Sequence, residues 1–505
     1  MNNILEYLKK QAERVPEKIA FADEQTSISF KELYDRGRIV GTSLAAYDCV
    51  RKPVPLLMEK NVLTVELMMG VVFAGGFYVI LDPAQPEKRL SQILNTLEAD
   101  ILVTTSEYQE CANSLEFSGK KIDASELIKG QEDEGILKII EKQHLDTDPL
   151  YVLFTSGSTG IPKGVVVGHR SVIDFIDEFT RIFDITEADV LGNQAPLDFD
   201  VSVKDLYSGL ATGATVELIP KDYFSVPVKL MDFLEEKGVT NLTWAVSALS
   251  IVSILDGLSY KTPKAIKRIM FSGEAMPVKH YNYWRSYYPE VRFVNLYGPT
   301  EITCNCTYYE VDREFEAGDK IPIGKSFPNE KVFLLDENDR EVLEYGKEGE
   351  ICVAGSCLAL GYYNDPIQTA KAFVPNPLNK KWMETIYRTG DMAFYDEDGN
   401  LCFASRKDFQ IKHMGHRIEL GEIENALEKI DEIKRSCVVF DEAKNKIVCF
   451  YQGDIAKREI VKEAKKYLQD FMIPNVFRQM EALPVTANGK LDRKALKESL
   501  MKKGE

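Results

Sequence analysis

The chain has 505 residues and a formal net charge of −17, with 45% hydrophobic and 28% charged residues. This composition is typical of globular proteins, and the length exceeds one ordinary domain, which excludes a disordered chain and a disulfide-stapled peptide. The negative charge argues against a general nucleic-acid-binding protein, because such proteins need basic patches to displace counterions from the backbone.

The apolar stretches predict buried elements and no membrane span. The longest one, Leu67 to Leu81, contains three glycines and is shorter than the roughly 18 to 20 residues that cross a bilayer, so it predicts a buried helix and strand. The N-terminus mixes both signs of charge and lacks the apolar core of a secretion signal. Nine cysteines without a C-x-x-C spacing fit a reducing compartment. We expect a cytoplasmic protein with neither a disulfide framework nor a zinc site.

The predicted elements change character along the chain. Over the first 300 residues helical segments alternate with short apolar ones, which favours βαβ units and stacked, mostly parallel α/β subdomains. From about 321 to 405, short strands between turn clusters predict a small antiparallel, barrel-like β subdomain. Beyond it we expect a helix at 420–430, strands near 436–440 and 446–452, and a helix at 460–468. We therefore predict an α/β core over 1–405 and a separate α+β domain over 409–505.

The strongest local signal is the segment YVLFTSGSTGIPKG, from Tyr151 to Gly164. A short apolar strand runs into glycines, hydroxyls and a lysine, which are the groups that grip phosphate oxygens. The segment is not a Walker loop, because Pro162 stands where that pattern requires glycine. On composition alone, a flexible hydroxyl-rich turn remains an equal alternative.

Further short segments carry polar groups at predicted strand ends. NLYGPTE, from Asn295 to Glu301, offers the Thr300 hydroxyl and the Glu301 carboxylate to Mg²⁺ or a triphosphate. YRTGD places Asp391 where a carboxylate can accept from two ribose hydroxyls. GHRIELGEIE and NGKLDR follow closer to the C-terminus. Each of these segments alone predicts no more than a turn.

Together and in this order, the segments resemble the adenylate-forming superfamily. The resemblance covers nearly the whole chain and is most specific for the amino-acid-activating branch, especially stand-alone nonribosomal peptide synthetase adenylation domains and D-alanine:carrier-protein ligases. It implies the adenylate-forming enzyme fold, with a mobile C-terminal domain and a hinge at 406–408 that contains Asp408. Ser405 departs from the glycine of many relatives, but Arg406 is retained.

The resemblance implies a two-step reaction with ATP and Mg²⁺. A carboxylate and ATP give an acyl-AMP and pyrophosphate, and a phosphopantetheine thiol then displaces AMP. Lys490, Glu301 and Thr300 would be catalytic, with Glu301 also a ligand of Mg²⁺. By the same matching, the residues that would bind ATP or AMP are Thr155, Ser156, Gly157, Ser158, Thr159, Lys163, Gly273, Glu274, Asn295, Tyr297, Gly298, Asp391 and Arg406.

The substrate class depends on Asp200, which matches the acid that pairs with the α-ammonium of an amino acid in this branch. Its alternative role is to cap the helix through Leu206. The residues implied to line the side-chain pocket are Val201, Lys204, Thr243, Met270, Ser272, Leu296, Cys304 and Asn305. This set favours a small polar, acidic or alanine-like substrate. Lys204 lies four residues after Asp200, so it either binds the substrate side chain or pairs with Asp200 or Asp205.

The expected partner is a carrier protein that supplies the thiol in trans, because no Gly-Gly-x-Ser-type attachment segment follows Lys490. Residues 406–505 carry a net charge of +4, against −21 for residues 1–405, a pattern that suits an acidic partner. Chance variation on a solvated surface is the alternative. Two other functions remain open: an acyl- or aryl-CoA synthetase, against which Asp200 argues, and a non-catalytic binding relative.

Overall fold

The computed structural model describes residues 1–156, 162–316, 319–407, 410–484 and 491–501. Within these ranges the strands are β1 Ile19–Ala22, β2 Ser27–Ser29, β3 Pro53–Leu57, β4 Phe77–Leu81, β5 Ile101–Thr104, β6 Lys120–Asp123, β7 Pro149–Thr155, β8 Lys163–Gly168, β9 Val190–Asn193, β10 Thr215–Leu218, β11 Asn241–Ala245, β12 Arg268–Ser272, β13 Arg292–Tyr297, β14 Thr307–Glu310, β15 Lys325–Ser326, β16 Glu330–Leu335, β17 Gly349–Gly355, β18 Gly361–Tyr362, β19 Phe373–Pro375, β20 Thr385–Tyr395, β21 Leu401–Arg406, β22 Gln410–His413, β23 His416–Glu419, β24 Ile433–Asp441, β25 Lys446–Gly453 and β26 Val476–Gln479.

The α-helices of the same ranges complete the architecture. They are α1 Leu5–Arg14, α2 Phe30–Ala45, α3 Val62–Phe73, α4 Glu87–Leu97, α5 Gln109–Ser114, α6 Ala124–Ile128, α7 Glu134–Glu141, α8 His169–Ile182, α9 Ser202–Thr212, α10 Pro227–Glu236, α11 Val246–Ile254, α12 Gly257–Tyr260, α13 Val278–Tyr287, α14 Pro366–Ala372, α15 Leu420–Leu427, α16 Lys457–Ala464 and α17 Arg493–Met501. No helix in the described part of the chain combines the length and apolarity needed to cross a bilayer.

Two large sheets form the predicted α/β core. One has the order β15-β14-β13-β12-β11-β9-β10-β1-β2, and its central strands from β13 to β1 are all parallel. The other has the order β18-β8-β7-β4-β3-β5-β6, with a parallel block from β7 to β6. One continuous apolar cluster includes residues of both sheets and of the helices between them, such as Leu56 on β3 and Val216 on β10.

Helix α3 and strand β4 confirm the interpretation of the long apolar stretch as a buried helix and strand. The Asn61 side chain accepts a hydrogen bond from the Thr64 backbone and caps α3, whose residues are buried almost all round. Gly70 permits close packing on α2, because a Cβ atom there would lie 2.1 Å from the Val40 Cγ1 atom.

The remaining strands form three smaller sheets, and the predicted small β subdomain is confirmed. Strands β16, β17, β20, β19 and β21 pair antiparallel within it. Near the C-terminus, β22 and β23 form a hairpin, and β24, β25 and β26 form a three-stranded sheet with its own apolar cluster. Helix α15 ends earlier than predicted, and α16 begins and ends earlier.

Candidate active site

The hydroxyl-rich segment follows the end of β7 and precedes the start of β8. Thr155 is opposite Lys163 in this antiparallel pair. The Thr155 hydroxyl is buried and has no hydrogen-bond partner among the described residues. A buried, unpartnered hydroxyl beside a lysine suits an incoming anion. Gly157, Ser158 and Thr159, the middle of the predicted loop, lie outside the described residues.

Glu301 is a fully buried carboxylate with both oxygens engaged. It lies in the short turn after β13, where the Tyr362 hydroxyl donates to Oε1 at 2.7 Å and Arg417 Nη1 donates to Oε2 at 2.8 Å. Burial alone would raise the pKa of Glu301, but the Arg417 guanidinium, the Lys163 ammonium and the Tyr362 hydroxyl lower it to about 2. Glu301 is therefore ionised at neutral pH.

Asp200 and Thr300 meet although they lie a hundred residues apart. The Thr300 hydroxyl donates to Asp200 Oδ2 at 2.6 Å, and both residues are buried. Burial raises the pKa of Asp200, partly offset by this hydrogen bond and by Lys204. Helix α9 begins at Ser202 without a side-chain cap, so the alternative role of Asp200 as a helix cap is wrong.

Lys204 lies one turn along α9 and reaches across to β12. Its ammonium donates to Ser272 Oγ at 3.1 Å and to Asn305 Oδ1 at 2.9 Å, and only 1% of the residue is exposed. It forms no direct ion pair with a carboxylate among the described residues, but its charge lowers the pKa of both Asp200 and Asp205 against the effect of burial, so the predicted pairing with these aspartates is present only as a longer-range attraction. The other residues implied for this pocket are all buried: Val201, Thr243, Met270, Leu296 and Cys304.

Asp391 and Arg406 are brought together by the pairing of β20 with β21, in which they are directly opposite. Arg406 donates to Asp391 Oδ1, and the Tyr297 hydroxyl donates to Oδ2 at 2.5 Å. The Asn295 amide donates to the Pro322 carbonyl at 2.7 Å. The Tyr297 side chain thus contacts Asp391, whereas the Asn295 side chain, on the same face of β13, holds the chain at Pro322.

The hairpin of β22 and β23, in the C-terminal region, packs against the core residues described above. Its tip residue Gly415 has a φ of +81°, and its N–H donates to Glu274 Oε1 at 2.5 Å. Gly273 has a φ of +96°, which favours glycine, whereas a Cβ atom there would make only ordinary contact with the Gly415 carbonyl oxygen, at 3.7 Å. Gly298 permits close packing inside the core, since a Cβ atom there would lie 2.6 Å from the Asn305 Cα atom.

Two hairpin side chains occupy the site without having been predicted. Arg417 contacts Glu301, and the Lys412 ammonium lies 5.2 Å from the centre of the Tyr297 ring. Burial lowers the pKa of Lys412, with Asp391 acting against that shift. Both residues lie in the SRKDFQIKHMGHRIELGEIE segment, but only the fold shows which core residues they meet. Two predicted residues of this region, Asp408 and Lys490, lie outside the described part of the chain.

A cavity lies between the core and the C-terminal region. It encloses about 630 Å³ of space, part of it open to solvent. From the core it is lined by Thr155, Ser156, Asp200 and Thr300, among others, and from the C-terminal region by Arg417, His416 and Phe471. The imidazole ring of His416 stacks on the Phe471 ring with centroids 3.6 Å apart, and burial lowers the pKa of the imidazole to about 4. The same cavity therefore reaches both Asp200 and the residues Thr155 and Ser156.

The chain belongs to the AMP-binding enzyme family, which matches residues 8–363. It is 34% identical over 505 residues to tyrocidine synthase 3 of Brevibacillus parabrevis, spanning 98% of this chain but only 8% of that much longer protein. The structure resembles that of holo-PA1221, a nonribosomal peptide synthetase protein with adenylation and carrier domains, with a TM-score of 0.83, 24% identity and coverage of 98% and 84% of the two chains.

The same fold also occurs in a CoA synthetase. The o-succinylbenzoate CoA synthetase of Bacillus subtilis matches with a TM-score of 0.84, 20% identity and coverage of 99% of this chain and 98% of that one. The family and the adenylate-forming fold predicted from the sequence are thus confirmed. The likeness in fold does not by itself separate an amino-acid activator from a CoA ligase.

Proposed function

We propose that this protein uses ATP to activate an amino acid as its aminoacyl-AMP and then transfers the aminoacyl group to the phosphopantetheine thiol of a separate carrier protein. The observation that carries this proposal is the buried contact between Asp200 and Thr300. It places a carboxylate suited to an α-ammonium beside a hydroxyl suited to an α-phosphate. A substrate with both an amino and a carboxylate group can span these two residues.

In the first step, an oxygen of the substrate carboxylate attacks the α-phosphorus of ATP, and the bond to pyrophosphate breaks. The barrier comes largely from bringing two anions together, so positioning and positive charge provide most of the catalysis. Lys163 and Lys490 would provide that charge, with hydroxyls from Thr155 to Thr159 holding the β- and γ-phosphates. Asp391 and Arg406 would hold the ribose, and Asn295 and Tyr297 would face the adenine.

Glu301 and Thr300 suit a Mg²⁺ that arrives with the nucleotide. Mg²⁺ usually takes one or two carboxylates from a protein and fills its other positions with phosphates and water. No group of three or more His, Cys, Asp or Glu side chains that could hold a metal ion occurs within the described residues. One ionised carboxylate beside one hydroxyl therefore fits a shared site, in which Mg²⁺ would neutralise phosphate charge.

In the second step, the thiolate sulfur attacks the acyl carbon, and the carbon–oxygen bond to AMP breaks. The thiol proton is released to solvent, and AMP leaves as the phosphate monoester. The cavity beside His416 and Phe471 offers a path for a narrow thiol arm toward Asp200. We propose a carrier protein as the donor of that arm. The alternative acceptor is free CoA, which would make this protein an acyl- or aryl-CoA synthetase.

The experiment that tests amino-acid activation compares two buried aspartates, one in the site and one outside it. Asp200→Asn should lower amino-acid-dependent ATP–pyrophosphate exchange by about 10- to 100-fold, because a charged hydrogen bond to the substrate is lost. Asp189→Asn is the control: Asp189 is also buried but accepts hydrogen bonds from Thr240 and Arg268, away from the pocket. Equal losses in both variants, or none at Asp200, would contradict the proposed role of Asp200.

A second assay distinguishes the two acceptors. We expect a mass increase on a phosphopantetheinylated carrier protein when the enzyme, ATP and the preferred amino acid are present. Efficient formation of an acyl-CoA, with no loading of any carrier protein, would instead support the CoA synthetase.

A further inference from the structure

Arg417 is a buried side chain of the C-terminal hairpin that the reaction steps above do not use. It lies on β23, and Nη1 contacts Glu301 at 2.8 Å. Its Nε donates to Gln410 Oε1 at 2.7 Å across the hairpin, which fixes the direction of the guanidinium. The side chain of Arg417 is 14% exposed and that of Glu301 is fully buried. An ionised carboxylate at such depth requires a cation nearby.

The same residue engages a second group of the proposed nucleotide site. The Ser156 hydroxyl donates to the Arg417 backbone carbonyl at 2.7 Å. In this arrangement of the hairpin, therefore, one C-terminal residue holds both the carboxylate proposed for Mg²⁺ and a hydroxyl proposed for phosphate. These contacts cannot persist unchanged while Ser156 and Glu301 hold a Mg²⁺–triphosphate.

Other contacts hold the C-terminal region in the same place without touching Glu301. Arg89 on α4 and Glu422 on α15 form a buried ion pair at 3.1 Å. Lys88 donates to the Tyr467 hydroxyl at 2.8 Å. The Arg417 contact differs from these because its partner also belongs to the proposed catalytic site.

We propose that Arg417 and the Mg²⁺ brought by ATP occupy Glu301 in turn, so that the guanidinium replaces the metal as the counter-ion of Glu301 once pyrophosphate has left. Arg417 is thus a positioning residue that links the state of the nucleotide site to the location of the hairpin. The order of these events, metal first and guanidinium second, rests on the proposed function. The competition between Arg417 and Mg²⁺ does not depend on the identity of the substrate.

The competition can be measured without turnover. Two dyes attached to cysteines introduced at exposed Ile367 in the core and at exposed Lys444 in the C-terminal region report the separation of the two parts. The probe is α,β-methylene-ATP with a titration of Mg²⁺. Since the guanidinium no longer competes, Arg417→Gln should lower the Mg²⁺ midpoint of the fluorescence change at least about fivefold, a coupling of ordinary size. Arg417→Lys, which keeps the charge, should show a smaller decrease.

Two further variants separate direct competition from general loosening. In a Glu301→Gln background, Arg417→Gln should no longer change the midpoint, whereas Arg89→Gln should change it equally in both backgrounds. The proposal is overturned if Arg417→Gln leaves the midpoint unchanged, or if its effect is the same with Glu301→Gln. Circular dichroism confirms that each variant is folded.

A kinetic readout completes the test. With the preferred amino acid, Arg417→Gln should lower thioester formation relative to pyrophosphate exchange by at least about tenfold, because the buried Glu301 charge loses its hydrogen-bonded guanidinium in the second step. Equal decreases in both steps would overturn the assigned role. If the wild-type protein exchanges pyrophosphate with no amino acid, the proposed function fails, and the fluorescence titration still decides the role of Arg417.

Discussion

Lys204 is a buried ammonium whose identified oxygen partners, Ser272 and Asn305, are both neutral. Asp200 and Asp205 attract this ammonium without contacting it, so a substrate side chain with a strong hydrogen-bond acceptor is the further partner predicted here. An aromatic side chain would leave these polar groups poorly satisfied, at a cost of about 1 to 3 kcal/mol for each group. We therefore predict that serine or aspartate is preferred over phenylalanine.

Replacement of Lys204 should change which amino acid is preferred. We expect Lys204→Met to lower kcat/KM for the preferred polar or acidic amino acid by about 10- to 100-fold and to favour apolar ones, measured by pyrophosphate exchange over a panel of amino acids. Lys60→Met is the control, because Lys60 is a half-buried lysine that hydrogen-bonds to the carbonyls of Asn193 and Gln194. A strong wild-type preference for phenylalanine would contradict this account of the pocket.

The sequence identified many of the residues that the structure brings together, whereas it did not identify their contacts. Asp391 and Arg406 were both predicted near the ribose, and the strand pairing that joins them is a local feature. The meeting of Asp200 with Thr300 depends on two loops far apart in sequence, and no periodicity encodes it. For the same reason, Arg417 was visible only as part of a motif, since its partner Glu301 lies on another domain.

At the scale of elements, the hairpin of β22 and β23 joins the two halves of the protein. Its two-residue turn places Met414 at a φ of +54° and Gly415 at +81°, as tight hairpins require. A Cβ atom at Gly415 would lie 3.2 Å from both the Ala245 Cβ and the Ser247 Oγ atoms. A side chain at position 415 would therefore press against the core.

Gly415→Ala should weaken the docking of this hairpin by about 1 to 3 kcal/mol through overpacking and backbone strain. We expect thioester formation to fall more than pyrophosphate exchange, measured as separate half-reactions. Gly399→Ala is the matched control, because Gly399 also has a positive φ, of +75°, but nothing lies within 4 Å of a Cβ atom there. Identical rates of both half-reactions in the two variants would contradict the role assigned to close packing at Gly415.

The other predicted catalytic element is the C-terminal segment that contains Lys490. We expect Lys490→Ala to slow adenylate formation by about a hundredfold or more, because the lysine charge acts where two anions approach. Attack of the thiol on a supplied aminoacyl-AMP should be largely spared. Single-turnover measurements of each half-reaction test this. A parallel loss in both would mean that the lysine is structural or that the C-terminal domain does not turn between the steps.

The layered architecture was predictable from the alternation of helical and apolar segments, because parallel sheets need a crossover helix between strands. The boundaries of individual helices were less accurate. Helix α16 begins at Lys457, three residues before the predicted start, where Glu459 in its first turn complements the helix dipole. The order of strands in the two large sheets could not be predicted, since it depends on long-range packing.

At the scale of the whole molecule, charge is distributed unevenly between the core and residues 406–505. The basic residues on α16 and just after it differ in whether they already have an acidic partner. Exposed Lys465 pairs with Asp470 at 2.9 Å and Lys466 pairs with Glu463 at 2.5 Å, so their fields are partly neutralised. Lys457, Arg458 and Lys462 remain as exposed positive charges on this helix.

Reversal of those three charges to Glu should slow loading of an acidic carrier protein at low salt and leave pyrophosphate exchange unchanged. The difference should decrease as salt screens the interaction over a Debye length of about 8 to 10 Å. Stopped-flow or quenched loading assays at several ionic strengths measure it. An unchanged loading rate at low salt would leave the basic region without a role in partner binding.

The most direct test of amino-acid activation compares substrates that differ only in the α-amino group. ATP–pyrophosphate exchange is measured with each amino acid, in both enantiomers where it is chiral, and with the carboxylic acid that lacks only that group, such as alanine against propionate and aspartate against succinate. If Asp200 binds the α-ammonium, the preferred amino acid should support exchange at least about a hundredfold faster than its des-amino counterpart. Equal or faster exchange with the des-amino acids, or with fatty or benzoic acids, would contradict the proposal.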